Sequence, residues 1–334
     1  MKTVLFTNKY TGIPLEILRQ ETPAGFRILF LPEQTGEALL QAAPEADYIL
    51  AGGRLPITRE TLAQARSLKM IQRSGVGLDS LDLDAIREKG IPLYVNQGVN
   101  AESVAEHTLL LILACLRRLT EIDRNMKRGV WKKQEQGVQT AELKGKTVGI
   151  VGMGNIAKTL VGLLKPFKVN ILYYNLARMD ESVEAENNMR FVGLEELLRS
   201  SDIITIHCAL TPETRNLINA ETLGVMKDGA ILINTARGEI VDPVAVAEAL
   251  KEGKLSYAAF DVHAQEPIPE DYPLKDIENV ILTPHIAGVT SDSFRTMMHD
   301  AFRNIECFEK GDTCRNAFCV KSLHSDRRLL FPAS

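Results

Sequence analysis

The stretch TVGIVGMGNIAKTL, residues 147–160, decides the fold of this chain. Its first five residues are mostly β-branched and predict a buried strand, and a helical pattern follows the glycines. Between a strand and a helix, Gly152 permits a tight turn and Gly154 lets the backbone approach a pyrophosphate. The small side chain of Ala157 lets the helix pack closely on the strand. The stretch therefore predicts a dinucleotide-binding unit.

The start of this helix and the end of the next strand determine how a dinucleotide is held. The backbone amides of Asn155 and Ile156 would face the phosphates at the positive end of the helix. About 20 residues on, where NAD-binding chains carry an acid for the ribose hydroxyls, this chain has Asn175. An amide does not repel a 2′-phosphate, and Arg178 either meets such a phosphate or is a solvated loop arginine. The sequence predicts NAD and leaves NADP open.

Strand patterns and helical patterns alternate along most of the chain, which predicts parallel sheets covered by helices. The second set of strands follows a helical stretch from Ala101 to about Arg118 and a polar segment that ends at Gly145. A last helical pattern ends at Gly311. The predicted strands are TVLFT, FRILFL, ADYILAG, KMIQRSG and IPLYVN, and then KTVGIVG, VNILYY, DIITIH, GAILINTA, SYAAFDV and NVILTPH.

Length and composition agree with two domains. The chain has 334 residues, of which 45% are hydrophobic and 25% are charged, and this is enough for two cores. We place a discontinuous first domain at 1–98 plus 291–334, if the last helix packs on the first sheet, and a second domain at 99–290. The tail at 312–334 has no clear periodicity, and we assign it no function.

Charge and cysteine content argue against several classes of partner. The net charge of −4 provides no basic field for nucleic acid or an anionic membrane, so a small molecule is the expected partner. The longest apolar run, LLLILACL at 109–116, is far shorter than the roughly 20 residues that cross a bilayer. No signal peptide is seen before the first strand. Five irregularly spaced cysteines predict cytosolic thiols and no metal site, and hence a cytoplasmic protein.

Three polar residues follow strands of the second set, at the edge where open parallel sheets bind ligands. They are Arg237 in NTARGEIVD, Glu266 in VHAQEP and His285 in TPHIAG. Arg237 offers a planar, permanently charged fork for a 2-oxo acid. His285 can protonate the carbonyl oxygen, and a nearby Glu266 carboxylate would stabilise the protonated ring. Taken singly, the three could instead be an ion-pair arginine, a surface acid and a packed histidine.

The ordered motifs resemble the D-isomer-specific 2-hydroxy acid dehydrogenases, which include phosphoglycerate dehydrogenases and glyoxylate/hydroxypyruvate reductases. The similarity runs from about Ala46 to about Gly311, through RSGVGLDSLD, SVAEHTLLLIL, ELKGKTVGIVGMGNI, DIITIHCALTPETRNLIN, NTARGEIVD and PHIAG. It implies an α/β fold of two doubly wound parallel-sheet domains, a flavodoxin-like substrate domain and a Rossmann cofactor domain, with a cleft between them. It also implies hydride transfer between NAD(P) and a small D-2-hydroxy acid or 2-oxo acid, by a homodimer.

The resemblance further implies roles for individual residues. It assigns substrate binding to Arg237 and acid–base catalysis to Glu266 and His285, with His285 also touching substrate and cofactor. It places Asp261 against the nicotinamide carboxamide. Backbone amides for the substrate carboxylate would come from Ser74, Gly75, Val76 and Gly77. The cofactor contacts would be Gly152, Gly154, Asn155, Ile156, Asn175, Arg178, His207, Thr214, Thr235, Ala236 and Gly288.

Several alternatives stay open at this point. The substrate class includes glyoxylate, hydroxypyruvate and phosphoglycerate-like acids, but Gly52 aligns with a phosphate-binding arginine of phosphoglycerate enzymes, and Arg54 comes two residues later. Formate enzymes of this type have glutamine where Glu266 stands, which argues against formate and leaves phosphite open. A dinucleotide-sensing dimeric interaction protein with little turnover is a further possibility. The apolar helix that begins at Ala101 is buried either within one subunit or at a dimer interface around Trp131.

Overall fold

A computed structural model of the chain describes residues 1–53, 55–312 and 317–319. Arg54 and most of the tail considered above lie outside these residues. The chain divides into two compact units. Among the described residues, unit 1 comprises Met1–Asn100 and those at 289–312 and 317–319, and unit 2 comprises Ala101–Gly288. Each boundary lies two residues from the one drawn on the sequence.

Unit 1 is an open sheet between two layers of helices. Its strand order is β2-β1-β3-β4-β5-β13, in which every pairing is parallel except that of β13 with β5. The first five strands have the order of flavodoxin. The elements are β1 Lys2–Phe6, α1 Ile13–Glu21, β2 Phe26–Phe30, α2 Gly36–Ala42, β3 Tyr48–Ala51, α3 Arg59–Gln64, β4 Met70–Arg73, α4 Leu83–Glu88, β5 Leu93–Asn96, α13 Ser291–Lys310 and β13 Ala317–Cys319, with a 3-10 helix at Ala43–Glu45.

Alternation along β1 explains why the last helix belongs to this unit. Leu5 lies in the apolar cluster on one face of the sheet, and Val4 and Phe6 lie in the cluster on the other face. Phe294 and Phe302 of α13 fill this second cluster. The last helix therefore packs on the first sheet, as expected, and it ends at Gly311 with a positive φ of 71°.

Unit 2 is a longer parallel sheet in the order β8-β7-β6-β9-β10-β11-β12. This is the strand order of dinucleotide-binding folds with one strand added. The elements are α5 Ala101–Leu116, α6 Leu119–Lys127, α7 Lys133–Gly137, β6 Thr147–Val151, α8 Asn155–Leu164, β7 Asn170–Tyr174, α9 Glu181–Glu186, β8 Met189–Phe191, α10 Leu194–Ser200, β9 Ile203–Ile206, α11 Ala220–Val225, β10 Ala230–Asn234, α12 Pro243–Lys251, β11 Leu255–Phe260 and β12 Val280–Leu282, with 3-10 helices at Lys165–Phe167 and Gly238–Ile240.

Both faces of this sheet are covered, which is why its strands are continuous apolar runs in the sequence. Ile231 and Ile233 of β10 pack in one cluster with α5 and α8, and Leu232 between them packs in the other cluster. The α/β class with parallel sheets is confirmed. Within the described residues, no helix is long and apolar enough to cross a membrane.

Parallel pairing brings the carboxyl ends of these strands to one edge of the unit 2 sheet. The residues that directly follow the six strands other than β8 are all polar or glycine, and several were candidates from the sequence. They are Gly152, Asn175, His207, Thr235, Asp261 and Thr283. This edge is where the candidate site of unit 2 lies.

Candidate active site

His285 and Glu266 form a hydrogen-bonded pair at this edge. Nδ1 of His285 lies 2.9 Å from Oε2 of Glu266. The His285 side chain is 40% exposed and the Glu266 side chain only 17%, so the ring reaches solvent while the carboxylate beside it is largely buried. The other carboxylate oxygen, Oε1, accepts the backbone N–H of His263 at 2.9 Å. Because Nδ1 is engaged, Nε2 is the nitrogen of His285 that is left for a ligand.

Asp261 anchors the loop that carries His285. Its carboxylate is buried and accepts the backbone N–H groups of Ile286 at 3.0 Å and Ala287 at 2.8 Å. Its backbone carbonyl accepts the N–H of His285 at 2.7 Å, and His285 adopts a positive φ of 56°. Asp261 therefore fixes the conformation of the loop through three hydrogen bonds.

The Arg237 loop lies directly against the Glu266 loop. Arg237 follows β10 and is half-buried, with Nη1 donating to the carbonyl of Ala236 at 2.7 Å. The Asn234 side chain donates to the carbonyl of Arg237 at 2.9 Å and holds the turn. A Cβ at Gly238 would overlap the backbone of His263, so only glycine allows this approach. Arg237, Glu266 and His285 therefore stand on three neighbouring loops.

Two consecutive residues of α5, His107 and Thr108, stabilise these loops by hydrogen bonds. Sequence reasoning did not identify either of them as a site residue. The Thr283 hydroxyl donates to Asp261 at 2.6 Å, so its oxygen accepts from Nε2 of His107 at 3.2 Å. The Thr108 hydroxyl donates within its helix at 2.7 Å, so its oxygen accepts from the Thr235 hydroxyl at 3.0 Å. Thr235, expected at the cofactor, thus donates its hydroxyl hydrogen to α5.

The glycine-rich loop Gly152–Gly154, which we call the phosphate loop, has room for a ligand. Gly152 has a φ of +94°, and a Cβ there would lie 2.6 Å from the backbone nitrogen of Cys208. Gly154 is exposed, and no described heavy atom would lie within 4 Å of a Cβ added to it. No side chain caps α8 at Gly154, so the first amides of the helix, from Asn155 and Ile156, point outward. Ala157 is fully buried against the sheet.

The end of β7 holds Asn175 and Arg178 through contacts inside the protein. Asn175 Oδ1 accepts the backbone N–H of Met153 at 3.3 Å, which ties it to the phosphate loop. Arg178 donates to Glu184 through Nε at 2.9 Å and Nη2 at 2.8 Å. Glu184 also accepts the Tyr173 hydroxyl at 2.6 Å, and the Arg178 guanidinium lowers the pKa of Glu184 to about 2. The guanidinium is thus fixed by a bidentate pair.

His207 and Thr214 lie on the loop after β9. The His207 ring shares a hydrogen bond with the Thr205 hydroxyl through Nε2 at 2.9 Å, and its buried Nδ1 has no partner among the described residues. Burial lowers the pKa of His207 to about 4, so the ring is neutral at pH 7. Thr214 donates to the carbonyl of Ala209 at 2.7 Å and closes its own turn. An unpartnered Nδ1 beside the phosphate loop is suited to a ligand contact.

The loop Ser74–Gly77 lies in unit 1, directly after β4. Arg73 braces it, with Nε donating to the carbonyl of Gly77 at 2.8 Å and Nη2 to the carbonyl of Gly53 at 2.7 Å. Asn96 donates to the carbonyl of Ser74 at 3.1 Å. The amide of Ser74 donates to the carbonyl of Ala51 at 2.9 Å. The side-chain contacts to the loop carbonyls give the amides of Gly75, Val76 and Gly77 a fixed direction.

Across residues 1–53, 55–312 and 317–319, no group of three or more histidine, cysteine or acidic side chains could hold a metal ion. Gly288 is the last residue of unit 2, and Ala236 donates its N–H to the Asn234 side chain at 3.0 Å.

Comparison with known proteins places the chain among enzymes. Residues 109–287 match the family model described as D-isomer specific 2-hydroxyacid dehydrogenase, NAD binding domain. The chain is 41% identical over 278 residues to a glyoxylate reductase from Thermofilum pendens, covering 83% of this chain and 82% of that one. It is 36% identical to a D-3-phosphoglycerate dehydrogenase from Archaeoglobus fulgidus, covering 89% of this chain but 56% of that longer relative.

Among solved structures, the chain is similar to an NAD-dependent formate dehydrogenase from Staphylococcus aureus in complex with NAD. The TM-score is 0.82 and the identity 32%, with 95% of this chain and 98% of that chain covered. The likeness therefore extends over both units and includes a protein that binds NAD.

Proposed function

Because the chain belongs to the D-isomer specific 2-hydroxyacid dehydrogenase family and is an NAD-dependent oxidoreductase of 2-hydroxy acids, we propose that it interconverts a small, unphosphorylated 2-oxo acid and its D-2-hydroxy acid. The observation that carries this proposal is the His285–Glu266 pair, 2.9 Å between Nδ1 and Oε2, on a loop beside Arg237. Formate oxidation involves no hydroxyl proton and gives such a pair nothing to do.

The residues of unit 2 divide the chemistry between them. When bound, NADH supplies a hydride to the carbonyl carbon. Protonated His285 gives its Nε2 proton to the carbonyl oxygen. The neutral ring that remains keeps the proton on Nδ1, which donates a hydrogen bond to Glu266. Arg237 binds the carboxylate of the acid and orients the carbonyl. In the oxidative direction, neutral His285 takes the hydroxyl proton at the same nitrogen.

We assign the carboxylate of the substrate a second set of donors, the backbone amides of Gly75, Val76 and Gly77, whereas the amide predicted for Ser74 donates to the carbonyl of Ala51. Arg73 and Asn96 hold the carbonyls of this loop, which supports a fixed set of amides. Substitution of Arg73 by methionine, which keeps the stem and removes the donors, would then raise KM for the 2-oxo acid more than it lowers kcat. An unchanged KM would contradict this role.

The unphosphorylated substrate is supported by Gly52. The position aligned with the phosphate-binding arginine carries no side chain, and the Asn8 side chain occupies the space beside it, 2.5 Å from where a Cβ would lie. Glyoxylate and hydroxypyruvate fit the proposal, and the named activity of the Thermofilum relative agrees with the first.

Unit 2 fits a bound dinucleotide, since it offers an open Gly154, uncapped α8 amides and an unpartnered His207 Nδ1. We propose that Gly152, Gly154, Asn155 and Ile156 hold the pyrophosphate, and Asn175 the ribose. Asp261 would accept the carboxamide at Oδ2, which carries one hydrogen bond. The roles predicted for Thr214, Thr235, Ala236 and Gly288 are kept as predictions.

We propose that NAD is preferred and that NADP is used poorly. The reason is that Glu184 holds Arg178 in a bidentate pair, so the guanidinium is not available to a 2′-phosphate without losing that partner. Substitution of Glu184 by glutamine would then raise kcat/KM for NADPH relative to NADH. Equal use of both cofactors by the wild type would contradict this preference.

We further propose a cytoplasmic homodimer. The thiols of Cys115, Cys208 and Cys307 are free, as in a reducing compartment. Trp131 and Val138 are 77% and 81% exposed, and a second copy of the chain is the partner that we propose for these two apolar side chains. Light scattering after gel filtration should give twice the chain mass, and a lower mass for Trp131→Glu. A monomeric wild type would refute the dimer.

The proposed activity is tested by steady-state oxidation of NADH and, separately, NADPH with glyoxylate, hydroxypyruvate, pyruvate and phosphohydroxypyruvate. We expect turnover with an unphosphorylated acid and NADH. Tight NADH binding without turnover on any acid would contradict the proposal and favour a dinucleotide-sensing interaction protein.

A further inference from the structure

His263 is a buried residue beside the His285–Glu266 pair. It is only 3% exposed, in the loop between β11 and Glu266. A buried histidine needs partners for both ring nitrogens, because an unpaired polar atom inside a protein costs free energy. Two of the partners of His263 belong to the loops that carry the catalytic pair.

The first ring nitrogen binds the His285 loop. Nε2 of His263 lies 3.1 Å from the backbone carbonyl of Thr283, two residues before His285. A carbonyl oxygen only accepts, so Nε2 carries the hydrogen. The second ring nitrogen, Nδ1, lies 3.2 Å from the hydroxyl of Tyr272.

Tyr272 completes the bonding of this ring. Burial raises the pKa of Tyr272 to about 12, so its hydroxyl is protonated and donates to Nδ1 of a neutral His263. The two rings meet edge to face, with centroids 5.4 Å apart and planes at 87°. Ring packing and both hydrogen bonds therefore select one orientation and one tautomer.

The backbone of the same residue binds the Glu266 loop. The N–H of His263 donates to Oε1 of Glu266 at 2.9 Å and turns Oε2 toward Nδ1 of His285. His263 thus contacts both members of the pair. Its main chain binds the Glu266 carboxylate, and its ring binds the loop that carries His285.

We propose that His263 is a positioning residue that keeps Glu266 and His285 in register and thereby fixes which nitrogen of His285 carries the proton. It touches no substrate and acts only through the pair, so the inference rests on the proposed acid–base function. With the Glu266 bond in place, neutral His285 is protonated at Nδ1, and Nε2 is free to accept from a hydroxyl. If the loops drift apart, this preference is lost.

The test compares three variants and a control. His263→Phe keeps an aromatic ring and removes both ring hydrogen bonds, His263→Gln restores a donor to Thr283, and Tyr272→Phe removes one hydroxyl. His299→Phe is the matched control, because His299 is 61% exposed on α13 of unit 1. For His263→Phe we expect kcat to fall about tenfold to a hundredfold, with KM for the 2-oxo acid within about threefold of wild type. His263→Gln should recover most of that loss.

A second readout does not need turnover. The chain has six histidines, so a long-range 1H–15N spectrum of histidine-labelled protein resolves each ring, and His285→Gln assigns its signals. Wild-type His285 in its neutral form should be protonated at Nδ1, and His263→Phe should show a mixture of tautomers. If His263→Phe does not fold, Tyr272→Phe should show the same change to a smaller extent.

The proposal is overturned if the folded variants lose thermal stability yet keep wild-type kcat and the Nδ1 tautomer, because His263 would then be structural only. Failure of the proposed function looks different: the wild type would show no turnover on any 2-oxo acid, while the tautomer of His285 would still report on the register of the two loops.

Discussion

The two glycines of the phosphate loop should separate a structural requirement from a ligand requirement. Gly152→Ala forces a residue with a φ of +94° to carry a methyl group 2.6 Å from the backbone of Cys208. The strained φ costs about 1–3 kcal/mol, and the overlap costs about 1–3 kcal/mol more. A total near 4 kcal/mol lowers the melting temperature of a unit of about 190 residues by roughly 8–16 °C.

Gly154→Ala is the matched control within the same loop. Gly154 has a φ of −85°, which any residue adopts, and no described atom lies within 4 Å of an added Cβ. Stability should therefore fall by at most about 1 kcal/mol, the difference between glycine and alanine at a helix start. The added methyl group would instead occupy the space that we assign to the pyrophosphate, and an overlap of about 1–3 kcal/mol weakens NADH binding by roughly 5- to 150-fold.

The assay is a thermal melt by circular dichroism together with an NADH titration by calorimetry, for both variants and the wild type. The expected pattern is a low melting temperature for Gly152→Ala, and a normal melting temperature with weak NADH binding for Gly154→Ala. The reasoning is refuted if Gly154→Ala binds NADH as tightly as the wild type does, or if Gly152→Ala has the same melting temperature as the wild type.

Further outcomes follow from the site and from the Glu184 pair. His285→Ala should lower kcat about 10²- to 10⁴-fold while the protein keeps its circular dichroism spectrum, as measured by steady-state reduction of the 2-oxo acid. Arg237→Gln should raise KM for that acid by more than about tenfold and leave the Kd of NADH within about twofold of wild type, because a charge-assisted bond to the carboxylate is lost. The Arg178 guanidinium lowers the pKa of Glu184 from 4.5 to about 2, so its stabilising effect is present above about pH 4.5 and is lost as the pH falls toward 2. Urea unfolding at pH 6 and pH 3 should therefore show a stability gap between wild type and Glu184→Gln that narrows at the lower pH, and a gap that stays constant would contradict the assignment.

The strands of the fold were predictable where they are long and apolar. Every run that was predicted as a strand lies on one of the observed strands, since burial on both faces leaves a continuous signal. The strands Met189–Phe191 and Ala317–Cys319 were missed. Both are only three residues long, the first includes Arg190, and the second pairs antiparallel at a sheet edge, so neither gives the long apolar run of a strand that is buried on both faces.

The candidate site was predictable only in part. Arg237, Glu266 and His285 follow strands, and parallel pairing alone places strand ends at one edge. The roles of His107 and His263 depend on the direction in which a ring points after the loops pack, which sequence spacing does not determine. Whether Arg178 meets a 2′-phosphate or is a solvated loop arginine was likewise left open, and its observed partner Glu184 was not foreseen because it comes from the following helix.

The most direct test of the central claim follows the transferred hydrogen. NADH that carries deuterium at both C4 positions of the nicotinamide is incubated with the 2-oxo acid, other than glyoxylate, that gives the highest turnover, because the glycolate formed from glyoxylate has no stereocentre. The product is analysed by mass spectrometry and chiral chromatography for the wild type and for His285→Ala. The account predicts one deuterium at C2 of a D-2-hydroxy acid, formed at a rate that depends on His285. A product without deuterium, an L-configured product, or undiminished turnover in His285→Ala would contradict it.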